Sequence, residues 1–83
     1  MRNPIIVPEL GAQDLVLSVW YVKRGEPVFA GDRLVELLLG SATFEIIAPC
    51  SGTLVEQSAW PDDRLSPGQV LGQVESDEAS STL

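Results

Sequence analysis

Short apolar stretches, each bounded by turn-forming residues, run along most of the chain. No window shows the sustained three-to-four-residue spacing of apolar positions that an amphipathic helix requires, whereas glycine, proline and aspartate recur between the apolar stretches. The pattern therefore predicts an all-β fold, a small sandwich or barrel. The predicted strands cover residues 5–7, 15–22, 34–39, 42–47, 52–57 and 69–75.

The chain divides into one domain and a short polar end. We expect the strands to form a single domain over residues 1–75. Residues 76–83 are mostly serine, threonine and acidic side chains with almost no apolar content, and such a segment cannot bury enough surface to fold. We therefore expect a disordered acidic tail at residues 76–83.

Two segments resemble each other at an offset of 37 residues. Residues 31–37 read Gly-Asp-Arg-Leu-Val-Glu-Leu and align with residues 68–74, which read Gly-Gln-Val-Leu-Gly-Gln-Val; Val28 then aligns with Leu65. Two such copies indicate interlocked halves with quasi-twofold symmetry, neither of which could bury its apolar face by itself. The other interpretation is a chance recurrence of glycine turns, which are common in β proteins.

The charge balance and the missing histidines exclude several function classes. Twelve acidic residues against five basic ones give a net charge of −7, which repels nucleic-acid backbones and anionic membrane surfaces. With no histidine and one cysteine, the usual zinc ligands and the nucleophile–histidine pairs of hydrolases are missing. No run of carboxylates has the spacing of a calcium loop. We therefore predict no catalytic site, no metal site, and no nucleic-acid or membrane partner.

The cysteine and the apolar runs bear on location. Cys50 is the single cysteine and cannot form an internal disulfide, which fits a reducing compartment. No apolar run approaches the roughly 18 residues of a membrane span, and the first residues do not read as a signal peptide. We expect a cytoplasmic protein.

Several motifs resemble one known family. Residues 7–11 read Val-Pro-Glu-Leu-Gly, residues 20–28 read Trp-Tyr-Val-Lys-Arg-Gly-Glu-Pro-Val, and residues 48–54 read Ala-Pro-Cys-Ser-Gly-Thr-Leu. These motifs resemble the lipoyl domains in acyltransferase components of 2-oxoacid dehydrogenase complexes. The resemblance implies a lipoyl/biotinyl-type flattened β-barrel, or barrel-sandwich hybrid, with two four-stranded antiparallel sheets. In that family a lysine at a hairpin tip is amide-linked to lipoate or biotin, and the domain itself catalyses nothing.

In this resemblance Ser41 stands where the attachment lysine belongs. Ala42 matches the family pattern, whereas Leu38, Leu39, Gly40 and Ser41 replace glutamate, threonine, aspartate and lysine. A serine hydroxyl would give a labile ester in place of an amide, so we predict no lipoate or biotin cofactor. Gly-Ser is still a good two-residue hairpin signal, because glycine adopts positive φ at no steric cost.

The predicted interaction site is the hairpin formed by Leu38, Leu39, Gly40, Ser41 and Ala42. Adjacent strand residues point to opposite faces, so at least one of the two leucines should project outward. An exposed leucine at a tip would favour docking on a partner, although single surface leucines are common and need no function.

The leading hypothesis is a non-enzymatic lipoyl-like domain, degenerate as a carrier, that acts as a protein-interaction or structural module. By the resemblance, its partners would be subunits of 2-oxoacid dehydrogenase-type complexes. The alternative is a lipoyl or biotin carrier domain modified at an unexpected residue, Ser41 or Lys23. Lys23 is the single lysine, and its position in the family lies away from the hairpin tip.

Overall fold

The computed structural model describes residues 1–11 and 14–76 of the chain. Its strands form two antiparallel sheets of four, with the orders β1-β8-β6-β3 and β5-β4-β2-β7. This architecture confirms the predicted all-β fold of two four-stranded sheets. The strands are β1 (Arg2–Ile6), β2 (Leu15–Trp20), β3 (Pro27–Val28), β4 (Arg33–Leu39), β5 (Ala42–Ile47), β6 (Gly52–Gln57), β7 (Arg64–Leu65) and β8 (Val70–Ser76).

The structure adds two short strands and shifts some bounds. β3 and β7 were not predicted, because two residues are too few to show an alternating pattern. β1 begins at Arg2, earlier than expected, since Pro4 reads as a strand breaker but is tolerated on an edge strand. β8 runs one residue further than predicted, to Ser76; the rest of the expected tail, 77–83, lies outside the described residues.

The repeat at an offset of 37 residues is a structural repeat. Each bound of β6, β7 and β8 lies 37 residues after the corresponding bound of β2, β3 and β4. The hydrogen bonds repeat with the same offset: the Gly25 amide donates to the Leu54 carbonyl at 2.7 Å, and the Asp62 amide donates to the Leu17 carbonyl at 2.9 Å. The φ angles agree too, 96° at Gly25 and 75° at Asp62. Two equivalent halves therefore interlock, as the sequence predicted.

The core lies between the two sheets and draws on both halves. Its innermost side chains include twofold-related pairs, such as Leu17 with Leu54, all fully buried. Trp20 and Cys50 are half-buried against this core, and the Trp20 indole N–H donates to the Ala59 carbonyl at 2.9 Å. Within residues 1–11 and 14–76, no helix is long and apolar enough to cross a membrane.

Candidate functional site: the β4–β5 hairpin and its outer face

The tip of the β4–β5 hairpin is a two-residue turn. Leu39 pairs with Ala42, which leaves Gly40 and Ser41 as the two central residues. Gly40 has a φ of 65°, whereas Ser41 has no positive φ, the combination of a type II′ turn with glycine in first place. A Cβ added at Gly40 would meet no atom within 4 Å, so this position requires glycine for its positive φ and not for lack of space. The sequence prediction of a tight Gly-Ser hairpin is confirmed.

The two leucines beside the turn take opposite faces. Leu39 is half-buried and packs against the core. Leu38 pairs with Val16 of β2 and Thr43 of β5, and because paired residues share a face, it lies on the outer surface of the sheet. It is nevertheless half-buried among its neighbours. One leucine therefore projects outward, as expected, although it is partly shielded, whereas Gly40, Ser41 and Ala42 are exposed.

Lys23 lies at the opposite end of the sheet from the tip. β2 begins with Leu15 opposite Leu39, next to the turn, and ends with Trp20 opposite Val35. Lys23 follows that far end, in the connection to β3, where its amide donates to the Glu26 carboxylate at 2.6 Å. The structure therefore keeps the single amine side chain away from Ser41.

The chemistry of the tip does not fit an amide-linked arm. The exposed turn offers the Ser41 hydroxyl, and the hairpin from Arg33 to Ile47 contains no lysine. A hydroxyl is a much weaker nucleophile than an amine or a thiolate unless a neighbouring base activates it. The residues present therefore do not match the covalent attachment of lipoate or biotin.

A cluster of polar side chains on the outer face was not predicted from the sequence. The Tyr21 hydroxyl lies 3.0 Å from Glu45 Oε2 and 3.3 Å from Glu36 Oε1. Arg33 pairs with Glu45 at 3.2 Å and stacks over the Tyr21 ring, 5.0 Å from its centre. Glu36 and Glu45 are direct cross-strand neighbours, and two like charges in such a pair repel each other. Arg33 and Tyr21 offset this repulsion.

Part of this cluster had a signal in the sequence. A two-residue turn fixes the register of a hairpin, so pairing Leu39 with Ala42 also pairs Glu36 with Glu45. Tyr21 had no such signal. The β2–β4 register shifts between Leu17 and Val19, and this irregularity decides which β2 residues reach the outer face.

Tyr21 is expected to ionise at higher pH than a free tyrosine. Partial removal from water raises the pKa of its hydroxyl above 10, and the hydrogen bond to Glu45 and the nearby Glu36 charge raise it further. Because the pKa of Tyr21 is higher in the folded than in the unfolded chain, its neutral hydroxyl contributes to stability below pH 10. This contribution is lost as the pH rises through the folded-state pKa. Tyr21 is the single tyrosine, so phenolate absorbance near 295 nm reports it directly.

The control for this titration is Glu45→Gln, which removes one carboxylate but keeps a hydrogen-bond acceptor. We expect its titration midpoint to fall toward 10. Equal midpoints in the native chain and the variant would contradict the contact between Tyr21 and Glu45.

Comparisons with known proteins show what the chain is similar to. No family model matches the sequence. The chain is 32% identical over 84 residues to the dihydrolipoyllysine-residue succinyltransferase component of the 2-oxoglutarate dehydrogenase complex of Rickettsia felis, covering 99% of the chain and 21% of that protein. The component of the same name from Bartonella vinsonii is 35% identical over 82 residues, covering 96% and 20%. The chain therefore spans about a fifth of the length of the curated relatives it matches.

Two solved structures share the fold of this chain. The solution structure of the lipoyl domain of the 2-oxoglutarate dehydrogenase complex of Azotobacter vinelandii superposes with a TM-score of 0.70, covering 86% of this chain and 95% of that one at 21% identity. The chain has the fold of a lipoyl domain. A single-chain, multi-domain long-chain acyl-CoA carboxylase contains the same fold, with a TM-score of 0.72 over 96% of this domain and 8% of that chain at 17% identity.

Proposed function

We propose that this lipoyl-type domain carries no acyl arm and acts, without catalysis of its own, as a protein-interaction or structural module. The observation that supports the proposal is the hairpin tip. Its type II′ turn presents position 41 to solvent, yet the side chain there is a hydroxyl, and the single lysine lies at the other end of the sheet. The domain keeps the shape of a carrier without its attachment chemistry.

The proposed partners are subunits of 2-oxoacid dehydrogenase-type complexes. Support comes from the relatives, which are named as components of the 2-oxoglutarate dehydrogenase complex. Because the domain matches about a fifth of their length, their succinyltransferase activity is not part of the proposal. A decoy or an assembly element is the role that fits, and the expected cytoplasmic location stays a prediction.

The intact mass of the protein from its native cells tests the absence of an arm. We expect the mass calculated from the sequence, with or without Met1. An added lipoyl, biotinyl or other carrier group would overturn the proposal, and fragment sequencing would then decide between Ser41 and Lys23.

Restoring the amine tests how much of the carrier site remains. When a lipoate–protein ligase is co-expressed and lipoate is added to the medium, we expect the Ser41→Lys variant to gain the mass of one lipoyl group. The reason is that the turn keeps position 41 exposed at the tip. The matched control is Ser66→Lys, an exposed position in the loop between β7 and β8, which should stay unmodified. A folded Ser41→Lys variant without added mass would show that Leu38, Leu39 and Gly40 also block the ligase.

Capture from native cells tests the partner. The tagged domain should enrich dehydrogenase-type subunits over a tag-only control in quantitative mass spectrometry. Failure to enrich any of them would count against the proposed partner and leave the mass result untouched.

A further inference from the structure

β5 is an open edge of its sheet. It has one hydrogen-bonded neighbour, β4, on one side. Among the backbone hydrogen bonds that the described residues form outside the strand ladders, none involves residues 42–47. Alternate residues of this six-residue strand therefore present unpaired amide and carbonyl groups at the edge, the feature that another extended chain can pair with.

The other edges of the two sheets are shielded, whereas β5 is not. β1 carries Pro4 in its middle and Arg2 near its start, and both residue types discourage edge pairing. β3 and β7 are two residues long. β5 contains neither proline nor a basic residue, its one charged residue is Glu45, and threonine, phenylalanine and two isoleucines give it high strand propensity. The chain thus protects its other long edge and leaves this one open.

The inward face of β5 has an apolar side chain that the sheet does not cover. Phe44 pairs with buried Leu37, so it points to the core side, yet 37% of it is exposed because no strand lies beyond β5. Ile46 lies on the same face and is half-buried. A strand added at this edge would place its own inward side chains beside Phe44 and Ile46 and extend the core.

The outward face carries an excess negative charge at the same edge. Glu36 and Glu45 share the one Arg33 guanidinium, which is 3.2 Å from Glu45. One carboxylate charge is therefore not balanced by a cation in this cluster. A lysine or arginine on an added strand, opposite Glu45, would balance it.

We propose that β5 binds an extended segment of a partner protein by antiparallel or parallel strand addition. The segment alternates apolar residues, which lie beside Phe44 and Ile46, with basic residues, which lie beside Glu45. A second copy of this chain is a poorer occupant, because each copy carries a net charge of −7. The proposal rests on the proposed role as an interaction module and names the chemistry of its partner.

A synthetic peptide provides the probe. In acetyl-Lys-Val-Lys-Ile-Lys-Val-Lys-amide, lysines line one face of the strand and apolar residues line the other. Titrated into the 15N-labelled domain at low salt, it should shift the amide signals of residues 42–47 and slow their exchange with solvent. An otherwise identical peptide with glutamate in place of lysine should bind at least about tenfold more weakly, and added salt should reduce the difference.

Two lysine variants separate edge pairing from general attraction to an acidic protein. Thr43→Lys places a like charge on the outer face of β5 and should weaken binding of the basic peptide about tenfold. Ser66→Lys adds the same charge at an exposed loop between β7 and β8 and should change the affinity by less than about twofold.

Three results would overturn the proposal. The two variants could weaken peptide binding equally, or the peptide could shift only amide signals outside β5. Without peptide, the protein could sediment as a dimer whose β5 amides exchange slowly with solvent. The last result would assign the edge to a second copy. Each of these results is independent of the intact-mass measurement, so a failure here is distinguishable from a failure of the proposed function.

Discussion

The Gly52→Ala variant should lose about 3 kcal/mol or more of its free energy of unfolding, because the added methyl group has no space. Gly52 is buried at the start of β6, where it pairs with Ser76 of β8 and Val28 of β3. A Cβ built at this position overlaps the backbone carbonyl of Glu75 and lies 3.1 Å from the Ser76 Cα. These neighbours are backbone atoms, so no side-chain rotation can relieve the overlap, and β8 would have to move away from β6.

Such a loss would be a large share of the total stability. Domains of ordinary size are stable by about 5–15 kcal/mol, and a chain of this length is expected near the lower end. The measurement is urea unfolding of the native chain and the variant, monitored by tryptophan fluorescence. The urea concentrations at the midpoints are compared, provided that the free energy of unfolding depends on urea concentration with the same slope in both.

Gly68→Ala is the control for this variant. Gly68 has a φ of 87° and a Cβ there would meet no atom within 4 Å, so its substitution costs backbone strain without overlap. We expect a loss of about 1 kcal/mol. Equal losses at the two glycines would show that the close approach of β6 and β8 is not what Gly52 provides.

The strands that the sequence predicted are those with enough residues to show an alternating pattern. β5 and β6 were predicted to the residue, since β5 lies between the Gly40-Ser41 turn and Pro49, and β6 begins at Gly52. β3 and β7 were beyond reach, because they consist of two residues whose pairing depends on partners elsewhere in the chain. The repeat at an offset of 37 residues would nevertheless have located β7 once β3 was known, because Val28 and Leu65 are equivalent in the two halves.

The hairpin tip was predictable, whereas its surroundings were not. Gly40-Ser41 is a local signal, and the turn type follows from the glycine in first place. Leu38 pairs with Val16 across the β2–β4 ladder, whose register shifts at a bulge between Leu17 and Val19. Sequence spacing gives no warning of such a bulge, so the degree of exposure at the tip needed the structure.

The twofold repeat leads to a paired prediction about the core. Leu17 of β2 and Leu54 of β6 are equivalent positions in the two halves, and both are fully buried. Their backbones bond in the same way, since the Leu17 amide donates to the Asp63 carbonyl and the Leu54 amide donates to the Glu26 carbonyl, each at 3.0 Å. We expect Leu17→Ala and Leu54→Ala each to lower the free energy of unfolding by about 2–5 kcal/mol, with similar values for the two.

Val19→Ala on the outer face of β2 is the control, and with 39% of the side chain exposed it should cost about 1 kcal/mol or less. Urea unfolding of the three variants separates two views of the core. If the halves interlock around one shared core, neither leucine can be truncated at low cost, because the cavity left in one half borders side chains of the other. A cost above 2 kcal/mol for one leucine and below about 1 for its twofold equivalent would instead mean that one half carries the stability and the repeat is symmetric in backbone only.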